Sequence, residues 1–173
     1  GVFVSAAFAA VNRIDDFAYM PQQNIAHAMT ALMAQNKGAK KTDRIKAAFR
    51  CGMKIEIFYG IFIFFVCFFF AHPLMQLFSN DPVVCKHGVT YLKLISLMYL
   101  FPAVTNGVQG YFRGIGDLKV TLISSFVNMS VRVVFAAVLV FHFSLQIEAL
   151  PFSYLAGWIG MLVAEVPLLL RKL

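Results

Sequence analysis

Four stretches of this 173-residue chain are each long and apolar enough to cross a bilayer, and little else can be built around them. They run about 55–78, 89–112, 120–143 and 150–170. A spanning helix needs about 20 mostly apolar residues. A fifth stretch, about 6–36, has the length but carries a polar middle. The chain therefore reads as an all-α integral membrane protein, one helical domain over 1–173 with five transmembrane helices. Composition agrees: 60% of residues are hydrophobic and 13% charged, against about 45–50% and about 25% in soluble domains.

The charges fall between the apolar runs. Residues 37–54, KGAKKTDRIKAAFRCGMK, hold seven basic residues and one acid. "RGIGDLK" at 113–119 is also net basic, and the chain closes on Arg171 and Lys172. "SNDPVVCKHG" and "SLQIEAL" carry no basic excess of that kind. Basic excess marks the cytoplasmic side, which puts 37–54, 113–119 and the C-terminus in the cytoplasm and the amino end outside. The net charge of +7 thus reads as topology, not as a nucleic-acid face. The first residue is Gly1, and no secretory leader is visible. An odd number of spans with an uncharged outer start leads to the expectation that further helices lie upstream.

Loop punctuation fits these spans. Gly38 is expected to cap the first helix in a left-handed conformation, and kinks are expected at Pro21 and Pro102. Gly110 and Gly114 form a GxxxG, read here as helix termination. Lys54 and Glu56 read as interfacial anchors, and Glu165 as an acid reaching the cytoplasmic interface. Cys51, Cys67 and Cys85 are too scattered for a zinc site or disulfide framework. No HExxH, GxSxG or phosphate-cradling loop occurs, so neither an enzyme nor a resident cofactor is expected.

The polar middle of the first stretch is the candidate site. At about 100° per residue, with Asn12 at zero, Asp16 falls near 40°, Tyr19 near 340°, Gln23 near 20°, His27 near 60° and Asp15 near 300°. One narrow stripe results. Carboxylates in a spanning helix cost roughly 2.5–3.5 kcal/mol on insertion scales, so Asp15 and Asp16 are expected to face a wet cavity. Arg132, near mid-membrane in the fourth span, is expected to pair with one of them, and Asn106 to line the same cavity. The plainer reading of such a stripe is helix–helix adhesion through hydrogen bonds. A membrane scaffold would need only that.

The run "AAVNRIDDFAYMPQQNIAHAMTALMAQNKGAKKTDRIKAAFRCG" resembles the second half of multidrug and toxic-compound extrusion (MATE) transporters. "YLFPAVTNGVQGYFRGIGDLKV" and "SSFVNMSVRVVFAAVLVF" resemble the segments that follow it there. The resemblance implies the last five helices of a second six-helix lobe, with that lobe's first helix and the N-terminal lobe as missing partners. It implies a multi-pass protein of the plasma membrane, a sodium or proton gradient as driving force, and amphiphilic organic cations as cargo. The site residues under this reading are Asn12, Asp15, Asp16, Tyr19, Gln23, His27, Asn106 and Arg132. Where some members carry an acid, this chain has Thr105 and Asn106. A lipid-linked oligosaccharide flippase of the related superfamily is the alternative within transport.

Overall fold

A computed structural model describes residues 2–143 and 149–172. Its regular structure is helical throughout: α1 (Val2–Gly38), α2 (Thr42–Phe69), α3 (Ala71–Gln76), α4 (Pro82–Ser96), α5 (Leu100–Gly114), α6 (Leu118–Phe143) and α7 (Ala149–Leu170). Among the described residues, three helices are long and apolar enough to cross a membrane: Thr42–Phe69, Leu118–His142 and Leu150–Leu170. A fourth crossing exists if α4 and α5, bent by 47°, count as one broken span. The 37 residues of α1 reach about 55 Å at 1.5 Å per residue, and its charged and polar middle keeps it out of the apolar class.

The basic segment 37–54 is not the loop the charge pattern suggests; only residues 39–41 lie outside helix. α2 starts at Thr42 because an apolar face runs on through the basic stretch. Ile45, Ala48, Phe49 and Gly52 are buried, while Arg44, Arg50 and Lys54 are exposed. Positive charge and helix coexist by taking opposite sides. The tight turn before α2 takes its positive φ at Lys40 (57°), and Gly38 is still helical. The expected left-handed cap thus falls two residues further on. α1 passes through Pro21 without interruption. The break in the α4–α5 pair lies at 97–99, so Pro102 sits in the first turn of α5, where a missing N–H costs nothing.

Asp81 opens α4: its carboxylate accepts from the backbone N–H of Val83 at 2.8 Å and of Val84 at 3.2 Å, with Pro82 at the first helical position. α5 closes through Gly116, at φ 76°, whose turn lets the Asp117 N–H bond the Phe112 carbonyl at 2.8 Å.

The helices assemble through small residues. A Cβ on Gly110 would lie 2.9 Å from the Ala26 carbonyl oxygen, and one on Gly114 3.0 Å from that of Thr30. The Thr30 hydroxyl donates to the Ala26 carbonyl at 2.9 Å and to the Gly110 carbonyl at 3.2 Å. The GxxxG of α5 is therefore an α1-docking surface, in addition to ending its helix. Two apolar clusters form the core. One joins α1, α2, α4 and the bend through Val11, Ile14, Cys67, Leu92 and Tyr99. The other joins α1, α2, α5 and α7 through Met29, Met33, Phe49, Phe112 and Leu169. Phe58, Phe62, Phe65 and Phe69 of α2, with Leu122, Phe126 and Met129 of α6, point outward; that is how lipid-facing helix surfaces look.

At one end of the bundle Lys172 pairs with Asp117. The Lys172 ammonium, bonded to it, holds the Asp117 carboxyl below the ordinary aspartate value of 3.8. A depressed carboxyl stabilises the fold above the unfolded value and loses that contribution as pH falls through the folded one. Acidification below about pH 4 is thus expected to release the C-terminal end, and Lys172→Gln to flatten that limb of a thermal-stability profile against pH.

Candidate functional site

Two adjoining cavities lie where α1, the α4–α5 bend, α6 and α7 meet. One, about 220 Å³, is lined by Asp15, Tyr19, Tyr99, Pro102, Arg132, Tyr154 and Trp158. The other, about 210 Å³, is lined by Tyr19, Thr105, Asn106, Gln109, Ser125, Asn128, Arg132, Trp158 and Met161. Tyr19, Arg132 and Trp158 belong to both, so the pair forms one cleft: an acidic chamber that holds Asp15 and a polar chamber without an acid, with Arg132 on the wall of both.

Each wall has a local cause. α1 brings Asp15 and Tyr19 to one edge of its buried face, one turn apart. The bend at 97–99 turns α5 so that Thr105 and Asn106 face inward, both buried. The Tyr19 hydroxyl donates to the Asn106 Oδ1 at 3.4 Å, while the Asn106 amide nitrogen has no partner among the described residues. On the far wall, Gln109 donates to the Ser125 hydroxyl at 3.3 Å.

Arg132 makes no ion pair with Asp15 or Asp16, contrary to the sequence expectation. Its guanidinium lies over the Tyr154 ring, 4.0 Å from the centroid, and Trp158 follows Tyr154 with ring centres 6.2 Å apart. The glycine at 157 explains this placement. A Cβ there would sit 2.3 Å from Cγ of Arg132 and 2.8 Å from its Cδ. The arginine stem occupies that space and directs its head onto an aromatic face, a favourable cation–π geometry. Gly157→Ala is expected to cost about 1–3 kcal/mol by overpacking and to lower the melting temperature. Gly38→Ala, with nothing within 4 Å, serves as the control that does not.

The stripe on α1 divides. Asp15 and Tyr19 are half-buried and line the cleft; Asn12 is half-buried and lines neither chamber. Asp16, Gln23 and His27 are exposed. On the same angular scale the buried residues Val11, Ala18, Gln22, Ala26 and Met29 centre near about 270°. Only the edge of the stripe nearest that direction therefore reaches the cleft.

Trp158 and the tyrosines read in the sequence as either interfacial residues or an aromatic cavity wall, and Tyr99, Tyr154 and Trp158 line the cavity; the sequence reading misplaced two acids. Glu56 is fully buried in α2, with neither carboxylate oxygen bonded among the described residues. Gly52 and Gly60 lie four residues to either side: a Cβ at 52 would clash with Met29 of α1, and one at 60 would lie 3.1 Å from Ala103 of α5. A glycine-x-x-x-glutamate-x-x-x-glycine register is the signal that puts the acid on a packed face, since small residues mark close helix approach. Glu165, also fully buried, accepts from the Ser124 hydroxyl at 2.5 Å and does not reach the interface. A buried carboxyl without donors costs more than an apolar residue of its size. Glu56→Met is thus expected to raise the melting temperature, by roughly 1–3 kcal/mol of stability.

These features define a helical membrane protein with a polar, part-aromatic cleft among its helices. The chain belongs to the MatE family, whose model matches residues 1–138. Members of that family are multi-pass plasma-membrane transporters rather than enzymes. Among curated relatives, the chain is 25% identical over 150 residues to the probable multidrug resistance protein NorM of Thermotoga maritima, covering 86% of this chain and 31% of the relative. It is 27% identical over 161 residues to the probable multidrug resistance protein YoeA of Bacillus subtilis, covering 92% and 33%. It is 26% identical over 121 residues to a protein of Shewanella oneidensis described as an FAD transporter, covering 68% and 27%. The chain spans about a third of the length of these relatives. Among solved structures, the fold matches the MATE transporter ClbM in complex with Rb+ at a TM-score of 0.90 and 16% identity, over 98% of this chain and 39% of that one. It also matches an outward-facing MATE transporter at 0.86 and an inward-facing one at 0.82, each over 96% of this chain.

Proposed function

We propose that this chain forms five membrane-spanning helices of a second MATE lobe, and that the lobe serves a cation-driven antiporter exporting amphiphilic organic cations. Under this reading α1, α2 with α3, the bent α4–α5 pair, α6 and α7 are the five crossings, and the C-terminus is cytoplasmic. The carrying observation is the acidic chamber: Asp15 shares a cavity of about 220 Å³ with Tyr19, Tyr99, Tyr154 and Trp158, and Arg132 on the same wall lies over Tyr154 and forms no ion pair with the carboxylate. A carboxylate among aromatic faces suits an organic cation, and a sodium ion or proton competing for the same charge is enough to couple the two. The exposed edge of α1, with Asp16, Gln23 and His27, would line the space shared with the other lobe, and Asn12 would stand at its rim. That one lobe fold matches both outward- and inward-facing transporters supports alternating access by rocking of whole lobes.

Arg132 favours a second reading. A guanidinium open to both chambers suits a substrate with an anionic group, as a flavin dinucleotide would have.

The test is transport by the complete transporter in everted membrane vesicles. An imposed sodium or proton gradient should drive uptake of a tetraphenylphosphonium-type cation. Uptake of an anionic flavin with no response to the lipophilic cation would replace the first reading by the second.

A further inference from the structure

Glu56 of α2 and Gln22 of α1 are both fully buried, and the contacts around them put them at one level of the bundle. A Cβ on Gly60, one turn beyond Glu56, would lie 3.1 Å from Cβ of Ala103 on α5 and 3.6 Å from Nε2 of Gln22. A Cβ on Gly52, one turn before Glu56, would strike Met29 of α1, and one on Gly107 of α5 would lie 2.2 Å from Sδ of Met53. Glu56 therefore sits where three stretches pack together: Gln22 to Met29 of α1, Gly52 to Gly60 of α2, and Ala103 to Gly107 of α5. Asn106 belongs to the last of these and is buried as well.

Four polar atoms of this group have no partner among the described residues: both Glu56 carboxylate oxygens, Oε1 of Gln22 and Nδ2 of Asn106. Three of them accept and one donates. An isolated ionised carboxylate in such a place is so costly that it takes up a proton instead. The protonated acid also gains an O–H donor that the ionised one lacks. Sodium fits less well, because it needs a shell of oxygens, and Met29, Met53 and Ala103, which close this level, carry none on their side chains.

The titratable and charged neighbours can be named element by element. α1 has Tyr19 and, two turns from Gln22, Asp15; its His27 is exposed. The bend has Tyr99, whose carbonyl accepts from Nε2 of Gln22 at 3.4 Å. On α2 itself Lys54 is exposed, and the Tyr59 hydroxyl donates to the Ala18 carbonyl at 3.1 Å. α5 has Arg113, two turns beyond Asn106. α3 and α4 pack against the other end of α2, around Cys67. None of these sets a positive charge beside Glu56. The link to the cleft is Tyr19, which lines both chambers. Its hydroxyl donates to Oδ1 of Asn106 and lies within reach of the Glu56 charge.

We infer that Glu56 is a proton-binding site of this lobe, separate from the Asp15 carboxylate, and that Asn106 and Tyr19 connect it to the cleft. In the arrangement described here the carboxyl holds its proton. When an organic cation enters beside Asp15 and α1 draws away from α2 and α5, water reaches Glu56. The O–H bond breaks, the proton passes to that water, and the electron pair stays on the carboxylate. One positive charge enters and one leaves, so coupling runs between two carboxyls instead of through one shared charge. A methionine would pack better at this position, as argued above, so packing does not account for the acid. The role in transport rests on the antiport reading and names its coupling ion; proton binding by Glu56 does not rest on it.

Infrared spectra of the complete transporter in detergent, without cargo, test the site. At neutral pH a protonated-carboxyl C=O band is expected, and Glu56→Gln and Glu56→Met should each lose the same component of it. The methionine variant is expected to be the more stable protein, so it carries the test if the glutamine variant fails to fold. A band unchanged by both substitutions would overturn the site. Proteoliposomes test the role. A proton gradient should drive export of tetraphenylphosphonium, and Glu56→Gln should slow it roughly tenfold or more and remove its dependence on pH. Export that keeps its rate and pH dependence in the variant would overturn the coupling. Wild-type export that follows sodium at a fixed proton gradient, and stops doing so with Glu56→Gln, would overturn the proton in favour of sodium. If the wild type carries no organic cation, the antiport reading fails, while the infrared band still decides the Glu56 site.

Discussion

Asp15→Asn is expected to abolish most of the Trp158 fluorescence response to a lipophilic cation, while Asp16→Asn leaves it largely intact. The chain has a single tryptophan, and it lines both chambers of the cleft, so its emission reports on their contents directly. Asp15 supplies the carboxylate of the acidic chamber. Bonds to charged groups contribute about 1.5–3 kcal/mol, so losing that charge should weaken binding roughly tenfold to a hundredfold. Asp16 is the next residue but points about 100° away and is exposed. Export by the complete transporter should fall with Asp15→Asn in step with binding. Equal effects of the two substitutions on Trp158 would show that the cleft does not discriminate between the edges of the stripe, and the assignment of Asp15 would be lost.

Gly110→Leu is expected to destabilise the bundle more than any other single substitution considered. The obstacle is backbone: a Cβ at 110 would stand 2.9 Å from the Ala26 carbonyl oxygen and 3.4 Å from the Ala26 Cα. A methionine tip such as Met29 beside Gly52 can swing aside, whereas a helix backbone must move bodily. Overpacking costs about 1–3 kcal/mol, occasionally more, and here it would also part the Thr30 hydroxyl from the Gly110 carbonyl. Thermal unfolding in detergent should show a fall of many degrees for Gly110→Leu and a smaller one for Gly110→Ala. Gly52→Ala should cost less than either. A melting temperature unchanged by Gly110→Leu would mean that α1 and α5 do not approach as closely as this contact requires.

The apolar runs were readable in the sequence because lipid imposes length and hydropathy on each span separately. Helical spans were expected over each apolar run, and the polar cluster on α1 was visible as a stripe. The break at 97–99 was not, since nothing in "ISLMYLFP" differs in hydropathy from a straight span. Nor was the helical start at Thr42, because counting lysines says on which side of the membrane a segment lies and nothing about its conformation. Glu56 and Glu165 were misread for a related reason. Each was judged by its distance from the end of an apolar run, but burial depends on which way a side chain points.

What the sequence determined by itself is the class of molecule: helices that need a bilayer, charge gathered between the apolar runs, and a polar face too costly to leave against lipid. Tertiary structure alone decided the angle at which α1 docks. The glycines of α5 bring it close enough that Asp15 enters the cleft and Asp16 does not. The bend before α5 and the space at Gly157 then set Asn106 and Arg132 around the cavity. A one-dimensional pattern fixes how polar residues are spaced along a helix; which of them share a cavity is set by contacts between segments far apart in the chain, such as Tyr19 and Asn106, 87 residues apart.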